Sequence, residues 1–148
     1  MILAVAAATA LTACGGSETE TTPVVCLEGA QAYLDALDAS PTAATLEGGV
    51  PISDCFTDDQ GSGELSSVGS AVIEAATRLS GEAAADPGDE AATELGFLVG
   101  SVEAGTAGTG GIHTDLVRRL DAAARPDESD ASFRRSFAAG YAAARAAG

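Results

Sequence analysis

The sequence predicts an all-α domain, a small bundle of about five helices with one long loop between the first two. Two observations carry this. Apolar residues recur at three- and four-residue intervals in several separate stretches, as in Leu95, Leu98, Val99 and Val102, which places them on one helical face. No stretch alternates apolar and polar residues for the length of a strand, and no internal repeat recurs at a fixed period.

In chain order the first element is an apolar leader. Ile2 to Leu11 is apolar or small apart from Thr9. At about ten residues it is too short to cross a hydrocarbon core, which needs ~20, and it fits the apolar region of a secretory signal. It ends on Leu11-Thr12-Ala13-Cys14, with Gly15 and Gly16 after it. These four residues resemble the lipobox of bacterial lipoproteins. A signal peptide ordinarily opens with Lys or Arg, whereas only Met1 precedes this apolar run. The resemblance implies that residues 1–13 are a signal peptide and that Cys14 is lipidated and becomes the first mature residue. The thioether-linked acyl chains would hold the protein on the extracytoplasmic face of a membrane, at ~0.8 kcal/mol per buried methylene. Outside these residues the chain resembles no family.

Ser17 to Pro23 carries no apolar side chain except the proline ring and reads as a disordered tether. Residues 14–24 are therefore expected to be the lipidated Cys and a flexible linker, and residues 25–148 a helical domain. The formal net charge of the chain is -15, with seven Arg and no Lys. That charge opposes binding to nucleic-acid phosphate and to anionic head groups. The expected contacts are the membrane through the lipid and a possible envelope protein partner, with no nucleic acid.

With Cys14 committed to lipid, Cys26 and Cys55 remain. In an exported chain the pair fits one structural disulfide, closing a loop of about 30 residues and contributing ~3–4 kcal/mol on the chain-entropy model. Zinc and redox chemistry are the rival readings. The pair has no nearby His for zinc and does not form C-x-x-C.

The first helix is expected over Leu27, Ala30, Leu34 and Leu37, with Tyr33 flanking the stripe and Ser40-Pro41 ending it. Thr42 to Gly63 is rich in turn residues, and Leu46, Val50, Ile52 and Phe56 are expected to pin it down. A second helix runs from Glu64 to about Ala83, with Leu65, Val68, Val72, Ile73, Ala76 and Leu79 on one face. Asp86 is expected to cap the next helix, with Pro87 at its first position. Gly96 and Gly100 lie four apart on that helix, spacing that suits close approach of another helix backbone at ~1 kcal/mol per interior glycine. Gly105 to Gly111 reads as a loop. Ile112, Leu116, Val117 and Leu120 define a fourth helix closing near Arg125-Pro126. Asp127 to Asp130 is expected to cap the last helix, whose Phe133, Phe137 and Tyr141 form one aromatic ridge, expected as core or else as a partner-binding ridge.

The chemistry-bearing residues are few. The glycine-rich loop precedes a helix N-terminus that could hold an anion, but no strand precedes it and it has no phosphate-loop lysine. His113 is the only histidine, and catalysis there would need a nucleophile and an orienting group. Asp58, Gln60, Ser62 and Glu64 alternate oxygens as a calcium loop does, yet Gly69 stands where the bidentate Glu belongs. Arg118-Arg119 and Arg134-Arg135 read as surface ion-pair partners of Asp121, Asp115, Asp127 or Glu128, worth ~0–1 kcal/mol each, or, should they converge, as a small anion site. The expectation is a non-catalytic cell-envelope lipoprotein acting as an interaction or accessory module, with no cofactor, no metal and no catalytic residue. The alternative is small-ligand binding in a groove between the C-terminal helices, near His113, Arg119 and Tyr141. A hydrolase with an unrecognised site ranks last.

Overall fold

A computed structural model describes residues 21–88, 90–125 and 129–147. The leader, Cys14 and residues 17–20 of the tether lie outside them, as do Asp89 and the capping residues Asp127 and Glu128. The described chain is all-α. Its helices are α1 (Ala30–Ala39), α2 (Ser62–Ala85), α3 (Glu90–Thr106), α4 (Thr114–Ala123) and α5 (Ala131–Ala147). The long segment between α1 and α2 holds three-residue and four-residue 3-10 turns and a two-residue antiparallel ladder, β1 (Thr45–Leu46) against β2 (Val50–Pro51). Among the described residues no helix is long and apolar enough to cross a membrane.

The centre of the fold is α3. Eleven of its residues, from Ala91 to Val102, are buried, and it packs most extensively on α5, then on α2, the 3-10 turn Ile52–Cys55, α4 and α1. A helix apolar on all sides belongs inside a core. Here much of that surface is Ala, Gly and Ser, so the neighbours come close. A Cβ built on Gly96 would overlap the carbonyl oxygen of Phe137, and one on Gly140 would overlap that of Thr93. One on Gly100 would stand 2.9 Å from the Tyr141 carbonyl oxygen. The Gly96/Gly100 spacing thus marks the α3–α5 seam.

Cys26 and Cys55 form the disulfide, both fully buried. It joins the 3-10 turn Val24–Leu27 to the turn Ile52–Cys55. Leu46, Ile52 and Phe56 are buried beside it and Val50 packs partly against the core, so the expected pinning of the long loop is present. The first helix starts later than its apolar spacing suggests. Gly29, at φ 88°, breaks the chain before Ala30, and Leu27 is left half-exposed in the preceding turn. Tyr33, not Leu34, is the fully buried residue. Its hydroxyl donates to the Cys26 carbonyl at 2.9 Å, and burial pushes the phenol pKa far up.

Other boundaries also differ from expectation. Asp86 ends α2, its amide bonded to the Glu82 carbonyl, and α3 starts at Glu90, so Asp86 and Pro87 do not open that helix. Gly105 is helical, its bare backbone lying against the Ser53 carbonyl, and the loop shifts to residues 107–113. Ile112 falls outside α4 and is 45% exposed. α4 itself stops at Ala123, before the expected closure at Arg125-Pro126. The cap of α5 is Asp130, whose carboxylate accepts from the amides of Ser132 (2.7 Å) and Phe133 (3.0 Å), a stabilising use of an acidic N-cap.

Candidate functional site

Two polar assemblies stand out, one closed and one open. The closed one centres on His113, which is 1% exposed at the foot of α4. Its Nε2 lies 2.8 Å from Oε1 of Gln60, and its Nδ1 lies 2.8 Å from the Thr109 hydroxyl. The Gln60 amide nitrogen donates to Thr22 Oγ1 and to the Cys55 carbonyl, both at 2.9 Å, which fixes Oε1 as the atom facing the ring. Nε2 therefore carries a hydrogen, and Nδ1 faces the Thr109 hydroxyl, whose one hydrogen also lies within reach of the Thr106 carbonyl at 2.8 Å. Burial lowers the imidazole pKa, with the charge of Asp58 opposing. The Phe56 ring meets the imidazole edge-on, centroids 5.6 Å apart. Thr22 donates onward to Glu64 at 3.2 Å, and Glu64 also accepts the Gly61 amide at the start of α2. Gln60 and Glu64, read in the sequence as half of a failed calcium loop, are thus committed to hydrogen bonds. Thr22, expected within the linker, is 6% exposed and already part of the folded body.

The open assembly is a groove of about 610 Å³ between α3, α4 and α5. Val99 and Glu103 line it from α3, Asp121 from α4, Ala124 and Arg125 from the end of α4, and Phe133, Arg134, Phe137 and Tyr141 from α5. The volume lies in the range of small-molecule sites. Along α5 the ridge is graded. Phe133 is 3% exposed, while Phe137 and Tyr141 are half-buried and face the groove. The Phe137 and Tyr141 rings are nearly parallel, 17° apart with centroids 6.4 Å apart. The Tyr141 hydroxyl donates to Glu103, and that bond is the largest influence raising the phenol pKa. Burial and the nearby charge of Glu103 push the Asp121 carboxyl above its usual range, while Arg125 pulls it down.

The structure separates the three residues expected to share a site. Tyr141 lines the groove. His113 lines a depression of about 370 Å³ beside Thr106 and Thr109, which adjoins the groove only through Asp121. Arg119 lines a shallow depression of about 230 Å³ between α2 and α4. The two Arg doublets do not converge either: Arg118 pairs with Asp115 within α4, and Arg134 faces the groove. Glu103 is not singled out by the sequence, and Asp121 reads there only as an ion-pair partner of the arginines. In a chain with 22 carboxylates, nothing in their local pattern separates them from solvated acids. A further cavity of about 520 Å³ lies between Ser53, Phe56, Thr57 and Gly105, at the point where Thr21 joins the body. The fold is thus a small all-α domain closed by one disulfide and opened by one mixed aromatic and charged groove. No protein-family model matches the chain, and no curated protein or solved structure is similar to it.

Proposed function

We propose that this chain is a cell-envelope lipoprotein, held through Cys14 on the extracytoplasmic face, whose helical domain is non-catalytic and binds a small ligand between α3, α4 and α5. The groove is the observation that carries the ligand reading: it is of ligand size, it has an aromatic wall, and its few charged groups converge on it. The leader carries the anchoring, and a buried disulfide suits an oxidising compartment. A second reading, docking of an envelope protein, draws on the exposed Val24 (78%) and Ile112 (45%).

The test is thermal unfolding of the full-length chain, kept soluble by Cys14→Ser, against a panel of small molecules. The expected result is a raised midpoint with at least one compound, since ligand that binds only the folded state stabilises it, and no rise in the Phe137→Ala variant. A panel that shifts nothing, together with a specific envelope protein recovered by mild crosslinking, would replace this reading by the docking one.

A further inference from the structure

The groove is electrically divided along its length. At one end Glu103 and Asp121 come from different helices and line the same wall, and the charge of Glu103 acts on Asp121. Tyr141 holds Glu103 in place through its hydroxyl. The stacked faces of Phe137 and Tyr141 lie beside this pair. Toward the other end stands Arg134, while Arg125, four residues after Asp121, acts on that carboxylate. Arg134 precedes Tyr141 by two turns of α5, about 10 Å along the axis at 1.5 Å per residue. Arg145, one turn beyond Tyr141, acts on the phenol but does not line the groove.

Two like charges held close while partly withdrawn from water repel each other, and a cation between them removes the repulsion. An ammonium suits the place doubly. It donates charge-assisted hydrogen bonds to both carboxylates, and it is attracted to the faces of neighbouring aromatic rings. The remaining wall, Val99 with Phe133 and Phe137, is apolar and takes a hydrocarbon or aromatic body. A ligand with a second positive charge would run into Arg134.

Resting on the groove reading above, we propose that the groove takes an organic amine with one positive charge, its ammonium between Glu103 and Asp121 and its apolar body along Phe137 and Phe133. Anions with the same body are rejected at the acidic end, and polyamines at the arginine end.

Titration calorimetry on the full-length Cys14→Ser chain, with its disulfide formed, tests this using three probes of one shape: 2-phenylethylamine, 2-phenylethanol and 3-phenylpropionate. The amine is expected to bind at least tenfold more tightly than either of the others. Glu103→Gln and Asp121→Asn should each weaken the amine at least tenfold and leave the alcohol unchanged, and spermidine should not compete. If Glu103→Gln does not fold, Asp121→Asn alone carries the comparison. Alcohol or carboxylate binding as tightly as the amine, and lost in Phe137→Ala, would overturn the amine assignment and leave the groove reading standing. No binding of any of the three at low-millimolar concentration would overturn both.

Discussion

Replacing Gly96 by Ala reports directly on the α3–α5 seam. In an open helix interior this change is favourable by ~1 kcal/mol, because glycine gives up more backbone freedom on folding. At Gly96 the new methyl group would overlap the Phe137 carbonyl oxygen, which is backbone and cannot rotate away. To restore contact distance the helices must separate by on the order of 1 Å, a gap at which packed atoms lose a quarter to a half of their dispersion well. Overpacking of this kind costs ~1–3 kcal/mol. With rigid backbone on both sides the upper end applies, so the net expectation is destabilisation of about 2 kcal/mol after the propensity gain. Gly81 is the control: it lies on α2 with nothing within 4 Å of its Cβ position. Gly81→Ala should stabilise by ~0.5–1 kcal/mol. Urea unfolding followed by circular dichroism measures both. If Gly96→Ala proves as stabilising as Gly81→Ala, the seam does not depend on bare backbone and the packing argument fails.

Four further outcomes follow from the buried polar cluster, the groove and the staple. Gln60→Leu strands the His113 Nε2–H and removes the side-chain donor to the Cys55 carbonyl, so it should cost about 2–3 kcal/mol in urea unfolding; a cost under half a kcal/mol would contradict the network. The folded imidazole has a lowered pKa, so the unfolded chain binds the proton more readily. Stability should therefore be full above the ordinary value near 6.5 and decline as pH falls below it, and His113→Gln should flatten unfolding curves compared across that range. Asp121, whose pKa is raised from 3.8, works in a lower window and in the opposite sense, its contribution declining as pH rises. Reducing the Cys26–Cys55 bond, which spans 29 residues, should lower stability by ~3–4 kcal/mol, read as a drop in the unfolding midpoint under reductant.

Helical period alone located α2, α3 and α5, because their Leu, Val and Phe residues recur at helical intervals and face the core. It placed α1 and its end before Ser40 but not its start, which Gly29 sets, nor the inward turn of Tyr33 to bond Cys26. It also understated α3. The stripe Leu95, Leu98, Val99 and Val102 was legible, but burial on the remaining faces rests on Ala91, Ala92, Gly96 and Ser101. Side chains that small give no apolar signal. The glycine spacing suited close approach of a helix backbone but did not name α5 as the partner, and glycine-rich drift would have produced the same pattern. Of the groove, Tyr141 and its ridge were visible, whereas Glu103 and Asp121 acquire their character from tertiary neighbours. The His113–Gln60 bond joins residues 53 apart, a link that no local pattern encodes.

Intact mass spectrometry of the chain extracted from its native membranes addresses the anchoring most directly, wherever translation begins. The expected species starts at Cys14, carries a thioether-linked diacylglyceryl group, and loses two hydrogens to the Cys26–Cys55 bond. An unacylated chain recovered from the soluble fraction with residues 1–13 still attached would contradict it.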